Sequence, residues 1–155
     1  MSNKILDEVK ALIVSCQASE AQGEIAQAWK LAHQALQIAQ EKNDRQGQAY
    51  SFLQIAHIKF LQGRFTEAVE DARKALSLAY PETPEIVRAW TILGNCAVEQ
   101  DALEDAEKFY NQALDYARLF GSPSQRMVCL HNLANGIHYY HGNFPLSLSY
   151  ELEAL

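Results

Sequence analysis

The chain has 155 residues, a length for one domain, and its 48% hydrophobic and 21% charged residues are ordinary for a protein that buries a core. That composition excludes a disordered tail, a collagen-like chain and a disulfide-stapled miniprotein. With 13 Lys and Arg against 19 Asp and Glu the formal charge is −6, and no basic run occurs, so nucleic acid is not an expected partner.

Met1-Ser2-Asn3-Lys4 leads straight into an amphipathic helical pattern, without the apolar block of a secretory signal. Nowhere do about 18 apolar residues run uninterrupted, so neither a membrane span nor a membrane partner is expected. Gly (7) and Pro (4) are scarce while Ala and Leu recur, which favours helix over strand. Cys16, Cys96 and Cys129 are odd in number and each lies inside a helical pattern. They read as small buried thiols of a reducing, cytoplasmic protein. No Cys-x-x-Cys is present to suggest a thiolate zinc site.

An internal repeat organises the chain. Gly23-Glu24-Ile25-Ala26-Gln27-Ala28 is echoed by Gly63-Arg64-Phe65-Thr66-Glu67-Ala68, by Asp101-Ala102-Leu103-Glu104-Asp105-Ala106, and more loosely by Gly142-Asn143-Phe144-Pro145-Leu146-Ser147. The echoes are 40, 38 and 41 residues apart. The first three are followed by Ala28, Ala32, Ala35-Leu36; by Ala68, Ala72, Ala75-Leu76; and by Ala106, Tyr110, Ala113-Leu114, and the fourth ends Ala154-Leu155 in the same register. Each unit reads as two helices.

In chain order the repeats are placed at about 9–48, 49–86, 87–126 and 127–155, as one domain over 1–155. Ala28 and Ala68 are expected where two antiparallel helices cross closely, as is Ala106 in the third repeat. In that repeat Thr83-Pro84 predicts an N-cap followed by proline. Ile86, Ala89, Trp90, Leu93 and Ala97 then trace one apolar face up to Glu99. Asp101 with Glu104 predicts a capping-box start for the second helix. That helix is apolar at Ala102, Ala106, Phe109, Tyr110, Ala113 and Ala117, and Gly121 is placed to end it. Ser122-Pro123 opens the fourth repeat by the same device. One extra residue before Gly142 predicts a wider turn at the end of its first helix.

Trp90-x2-Leu93-Gly94, followed by Ala106-x3-Tyr110-x2-Ala113, resembles the pattern of the tetratricopeptide repeat family. The resemblance runs from about Val9 to Leu155, as three full repeats and a truncated fourth. It departs from the pattern where Ser19, Lys59, Ala97 and Ile137 stand in place of the usual first-helix tyrosine. The period near 40 exceeds the family's 34, which predicts longer second helices and loops and resembles the long-period subgroup. The resemblance implies an all-α fold, a right-handed superhelix of seven to eight antiparallel helices with a concave groove lined by the first helices.

By the same resemblance the groove takes a peptide segment of a partner protein. Carried over position by position, its lining is Lys10, Ile13 and Gln17; Tyr50, Leu53, His57 and Phe60; Arg88, Thr91 and Asn95; and His131, Asn135 and His138. Asn95 and Asn135 are equivalent, and an amide that donates and accepts suits a peptide backbone. A clamp of basic residues for an acidic chaperone tail is not expected, since Ile13, Gln17, Thr91 and Ile92 hold those places beside Arg88.

No Gly-rich phosphate loop, Gly-x-Ser-x-Gly elbow or His-Glu-x-x-His is present, so no enzymatic activity and no cofactor are expected. A metal-binding enzyme using His131, His138 and His141 is the alternative that the spacing permits, without a carboxylate between Met127 and Gly142. The sequence stops within a repeat's second helix and without a polar capping helix. An N-terminal piece of a longer protein is therefore expected, with a regulatory module as one reading. Leu146, Leu148, Leu152 and Leu155 would then form an apolar edge, and a homodimer through the fourth repeat is a further expectation.

Overall fold

A computed structural model describes residues 2–139 and 142–154, with the side chains of all of these except 2, 3, 138, 139 and 144. Among the described residues there is helix and no strand. The elements are α1 (Ser2–Ala21), α2 (Ile25–Glu41), α3 (Arg45–Leu61), α4 (Phe65–Leu78), α5 (Pro84–Glu99), α6 (Leu103–Phe120), α7 (Pro123–His131), a π-helical segment (Asn132–Tyr139) and α8 (Phe144–Ala154). They fall into two compact units, residues 1–80 and 81–155.

In unit 1, α1 pairs with α2 and α3 with α4, and α3 also packs on both α1 and α2. Small residues at helical spacing make this close approach possible. Ala28, Ala32, Ala35 and Ala39 of α2, and Ala68, Ala72 and Ala75 of α4, are completely buried. Cys16, Ile55 and Ile58 pack around the first of these rows, and the Cys16 thiol donates to the Ala28 carbonyl at 3.1 Å. In unit 2, α5 pairs with α6, and α7, the π segment and α8 pack together beside α6. Its core gathers Val87, Ala106, Tyr110, Leu114, Cys129, Leu133 and Ile137.

The echo heads are corners, each with a backbone in the left-handed region: Gly23 (φ 78°), Gly63 (φ 73°), Asp101 (φ 59°) and Gly142 (φ 72°). At the first three, the next amide reaches back five residues, as in Glu24 N to the Ser19 carbonyl (2.8 Å), Arg64 N to Lys59 (2.9 Å) and Ala102 N to Ala97 (2.8 Å). This corrects the capping box expected at Asp101 and Glu104. Asp101 ends α5 instead, as the residue that tolerates the left-handed turn, and Ala102 is the N-cap of α6 with no side-chain bond. The true capping box is Ser122 with Gln125, ahead of Pro123. Thr83 stands at the N-cap before Pro84 but makes no side-chain cap bond. Gly121 ends α6 with an extended backbone. Its constraint is space, because a Cβ there would meet Ala117 Cα at 2.7 Å.

One expectation about length is also revised. The links from α1 to α7 are short, two to five residues, so helices of both positions carry the long period. The wider turn expected before Gly142 falls on residues 140 and 141, outside the described residues. Ahead of it the helix carries a π segment, 132–139, whose i→i+5 bonding accommodates an added residue.

Candidate partner-binding surfaces

The first helices of unit 1 lie side by side and bring several predicted groove residues together. The Lys10 ammonium sits 5.3 Å from the centre of the Tyr50 ring. Further along, Gln17 Nε2 donates to Gln54 Oε1 (3.2 Å), Gln54 Nε2 donates to Glu20 Oε1 (2.6 Å), and His57 Nδ1 faces Glu20 Oε2 (3.2 Å). Phe60 is half-buried, with its ring 5.7 Å from that of Phe65. Leu53 and Ile13 are not surface residues: they are 0% and 5% exposed and belong to the core. Both occupy the same repeat position, which in unit 1 turns its side chain inward.

In unit 2, Asn95 Oδ1 accepts from the Tyr110 hydroxyl at 2.8 Å. Asn135 Nδ2 donates to Glu151 Oε1 at 2.8 Å, and His131 Nδ1 lies 3.3 Å from the same oxygen. Tyr110 and Glu151 are themselves equivalent, 41 residues apart on the second helices. Each asparagine is thus steered by the second helix of its own repeat, one by a phenol and one by a carboxylate. Because a carboxylate only accepts, Asn135 must turn its N–H2 toward Glu151 and its Oδ1 away. Thr91 spends its hydroxyl on the Val87 carbonyl (2.8 Å), and Arg88 is half-buried on the same helix. Met127, Val128, His131, Asn132, Glu151 and Ala154 line a recess of about 310 Å³.

The helix-crossing tyrosine replacements are all turned inward. Ser19, Ala97 and Ile137 are 9%, 5% and 2% exposed. Lys59 pairs with buried Asp71 at 2.7 Å across α3 and α4. Burial pushes the Cys96 thiol up to about 11, with the nearby Glu99 charge adding to it. Burial also raises Cys129 and Tyr110. These are not activated nucleophiles.

Leu146 is half-buried, while Leu148 and Leu152 are 60% and 61% exposed. The side chain of His138, together with His141 and Leu155, lies outside the described residues, so the proposed histidine cluster is represented only by His131. Among the described residues no three His, Cys, Asp or Glu side chains are grouped to hold a metal ion, and no helix is long and apolar enough to cross a membrane.

Sequence reasoning missed Glu20, Gln54 and Glu151. Glu20 lies three residues after Gln17 on one helix, a detectable neighbour. Gln54 stands where the next repeat has Ile92, so a polar residue at a core position was its signal. Glu151 reaches Asn135 from another helix and had none.

The tetratricopeptide repeat profile matches residues 49–80 and 87–118. Over 103 residues the chain is 30% identical to the photosystem I assembly protein Ycf3 of Cyanophora paradoxa. That match takes in 64% of this chain, and the chain spans 57% of that protein's length. Among solved structures, BtubC (BKLC) from P. vanneervenii superposes with a TM-score of 0.74 at 20% identity, over 99% of this chain and 70% of its own. Two of the chain's repeats, residues 49–80 and 87–118, are thus matched to the tetratricopeptide repeat family.

Proposed function

We propose that the protein is a non-enzymatic interaction module that binds segments of partner proteins on the faces formed, within each unit, by the first helices of its repeats. Repeats of this family serve protein–protein interaction. One observation carries the finer reading. Gln17, His57, Asn95 and Asn135 recur 40, 38 and 40 residues apart, each hydrogen-bonded within its own unit and none fully buried. Groups held this way are preorganised to meet a peptide backbone. The curated relative is an assembly protein, and by extension the segments bound here belong to components of a complex under assembly.

A peptide-display selection against the intact protein tests this. Selected peptides should bind Asn95→Ala and Asn135→Ala about 5- to 150-fold more weakly, the effect of about 1–3 kcal/mol for a lost buried hydrogen-bond partner. Peptides that ignore both substitutions would remove the reading for unit 2.

A second reading is self-association through the fourth repeat. Leu148 and Leu152 favour it, being large, apolar and more than half exposed on α8. Light scattering over a concentration series should then show a dimer that Leu152→Glu dissolves. A strict monomer at every concentration refutes it.

A further inference from the structure

Unit 1 holds a chain of hydrogen bonds whose polarity one carboxylate settles. Glu20, in the last turn of α1, has a side chain only 9% exposed. Gln54 Nε2 lies 2.6 Å from its Oε1 and His57 Nδ1 lies 3.2 Å from its Oε2. An ionised carboxylate only accepts, so both facing nitrogens must carry hydrogen. Gln54, wholly buried, therefore turns its N–H2 to Glu20 and its Oε1 toward Gln17. Gln17 must answer with its own N–H2, which leaves its Oε1 on the far side. His57, with hydrogen on Nδ1, has an Nε2 that accepts when the ring is neutral.

We infer that Glu20 is a positioning residue that makes the α1–α3 face a row of acceptors, Gln17 Oε1 and His57 Nε2, for backbone N–H groups along one edge of an extended peptide segment. This rests on the reading of the first-helix faces as partner-binding surfaces. Both acceptors belong to side chains that reach the surface: Gln17 is exposed and His57 is 37% exposed. They occupy equivalent positions of consecutive repeats, so the row follows the direction in which the helices are stacked. One edge of an extended peptide offers an N–H about every 6.6–6.8 Å, with the carbonyl of the same residue beside each, and the acceptor row addresses the N–H groups. Without the carboxylate, both amides could flip and the imidazole could protonate on the other nitrogen, and the face would lose its single polarity.

The test reads polarity directly. Long-range proton–nitrogen spectra of the labelled protein, at a pH where the ring is neutral and with His57 assigned by its loss in His57→Leu, should show the Nδ1–H tautomer. Glu20→Ala should move His57 toward the Nε2–H form. A wild-type ring in the Nε2–H form overturns the inference whatever any ligand does, and this result decides even if Glu20→Ala does not fold. The second arm uses display-selected peptides that bind unit 1, remade with single backbone N-methyl groups. At least one methylation should weaken binding to the wild type by about tenfold or more, and should matter far less for His57→Leu. Peptides indifferent to methylation at every position overturn the acceptor row. A selection that returns no peptide removes the binding reading and the ligand half of the inference together, while the tautomer still judges Glu20.

Discussion

Gly94 shows how one residue fixes the approach of two helices. A Cβ built there would run into the Tyr110 ring, whereas one at Gly136 would meet only Tyr110 Cε2 at 3.9 Å. Gly94→Ala should therefore cost about 1–3 kcal/mol through overpacking. Gly136→Ala should be neutral or stabilise by up to about 1 kcal/mol, as the entropic cost of glycine is removed. Urea titrations of both variants check the contrast, and equal midpoints would contradict the tight Gly94–Tyr110 packing. Glycine 94 was legible in the sequence because it stands in the Trp90-x2-Leu93-Gly94 pattern. The inward turn of Leu53 was not. On a helix packed from several sides the apolar stripe is too broad for periodicity to separate a core leucine from a surface one. Asp101 was misread for a different reason. Aspartate serves both as an N-cap and as a left-handed corner, and only its alignment with Gly23, Gly63 and Gly142 distinguishes the two.

At the scale of elements the alanine rows were the clearest signal, since small residues every three or four positions mark the helix face that must come closest to another. Ala68 and Ala106 are both completely buried. Leucine at either should destabilise by about 1–3 kcal/mol, seen as a lower melting temperature, and two unchanged transitions would refute the crossing geometry. The π segment lay beyond the reach of pattern reading. The count of residues showed that the fourth repeat carries one more than the third, but nothing in the residue types says whether a turn or the helix interior absorbs it. A π segment, 132–139, runs through the stretch that carries the surplus, and Leu133, Ala134 and Ile137 within it are buried. The proposed partner-binding surface was legible to the same degree. The family resemblance nominated Gln17, His57, Asn95 and Asn135, while the groups hydrogen-bonded to them, Glu20, Gln54, Tyr110 and Glu151, depend on which helices touch.

The molecule as a whole should lose stability in alkali, for a reason centred in unit 2. Cys96 is pushed up to about 11 by burial first and by the Glu99 charge second. Cys129 is raised by burial, and Tyr110 by burial with the two cysteines adding to it. In the unfolded chain a thiol ionises near 9, the ordinary value, while in the fold it stays neutral. Below pH 9 both states are protonated and stability does not respond to these groups. Between about 9 and 11 the unfolded chain gives up protons that the folded protein retains, so each step upward favours unfolding. The urea midpoint should therefore hold steady from neutral pH to about 8.5 and then fall toward 10.5. Cys96→Ala should lose some stability at neutral pH by leaving a small cavity, yet its midpoint should fall less steeply in alkali, because one of the ionising groups is gone. If wild type and Cys96→Ala decline in parallel above pH 9, the buried thiol is not a source of the alkaline loss.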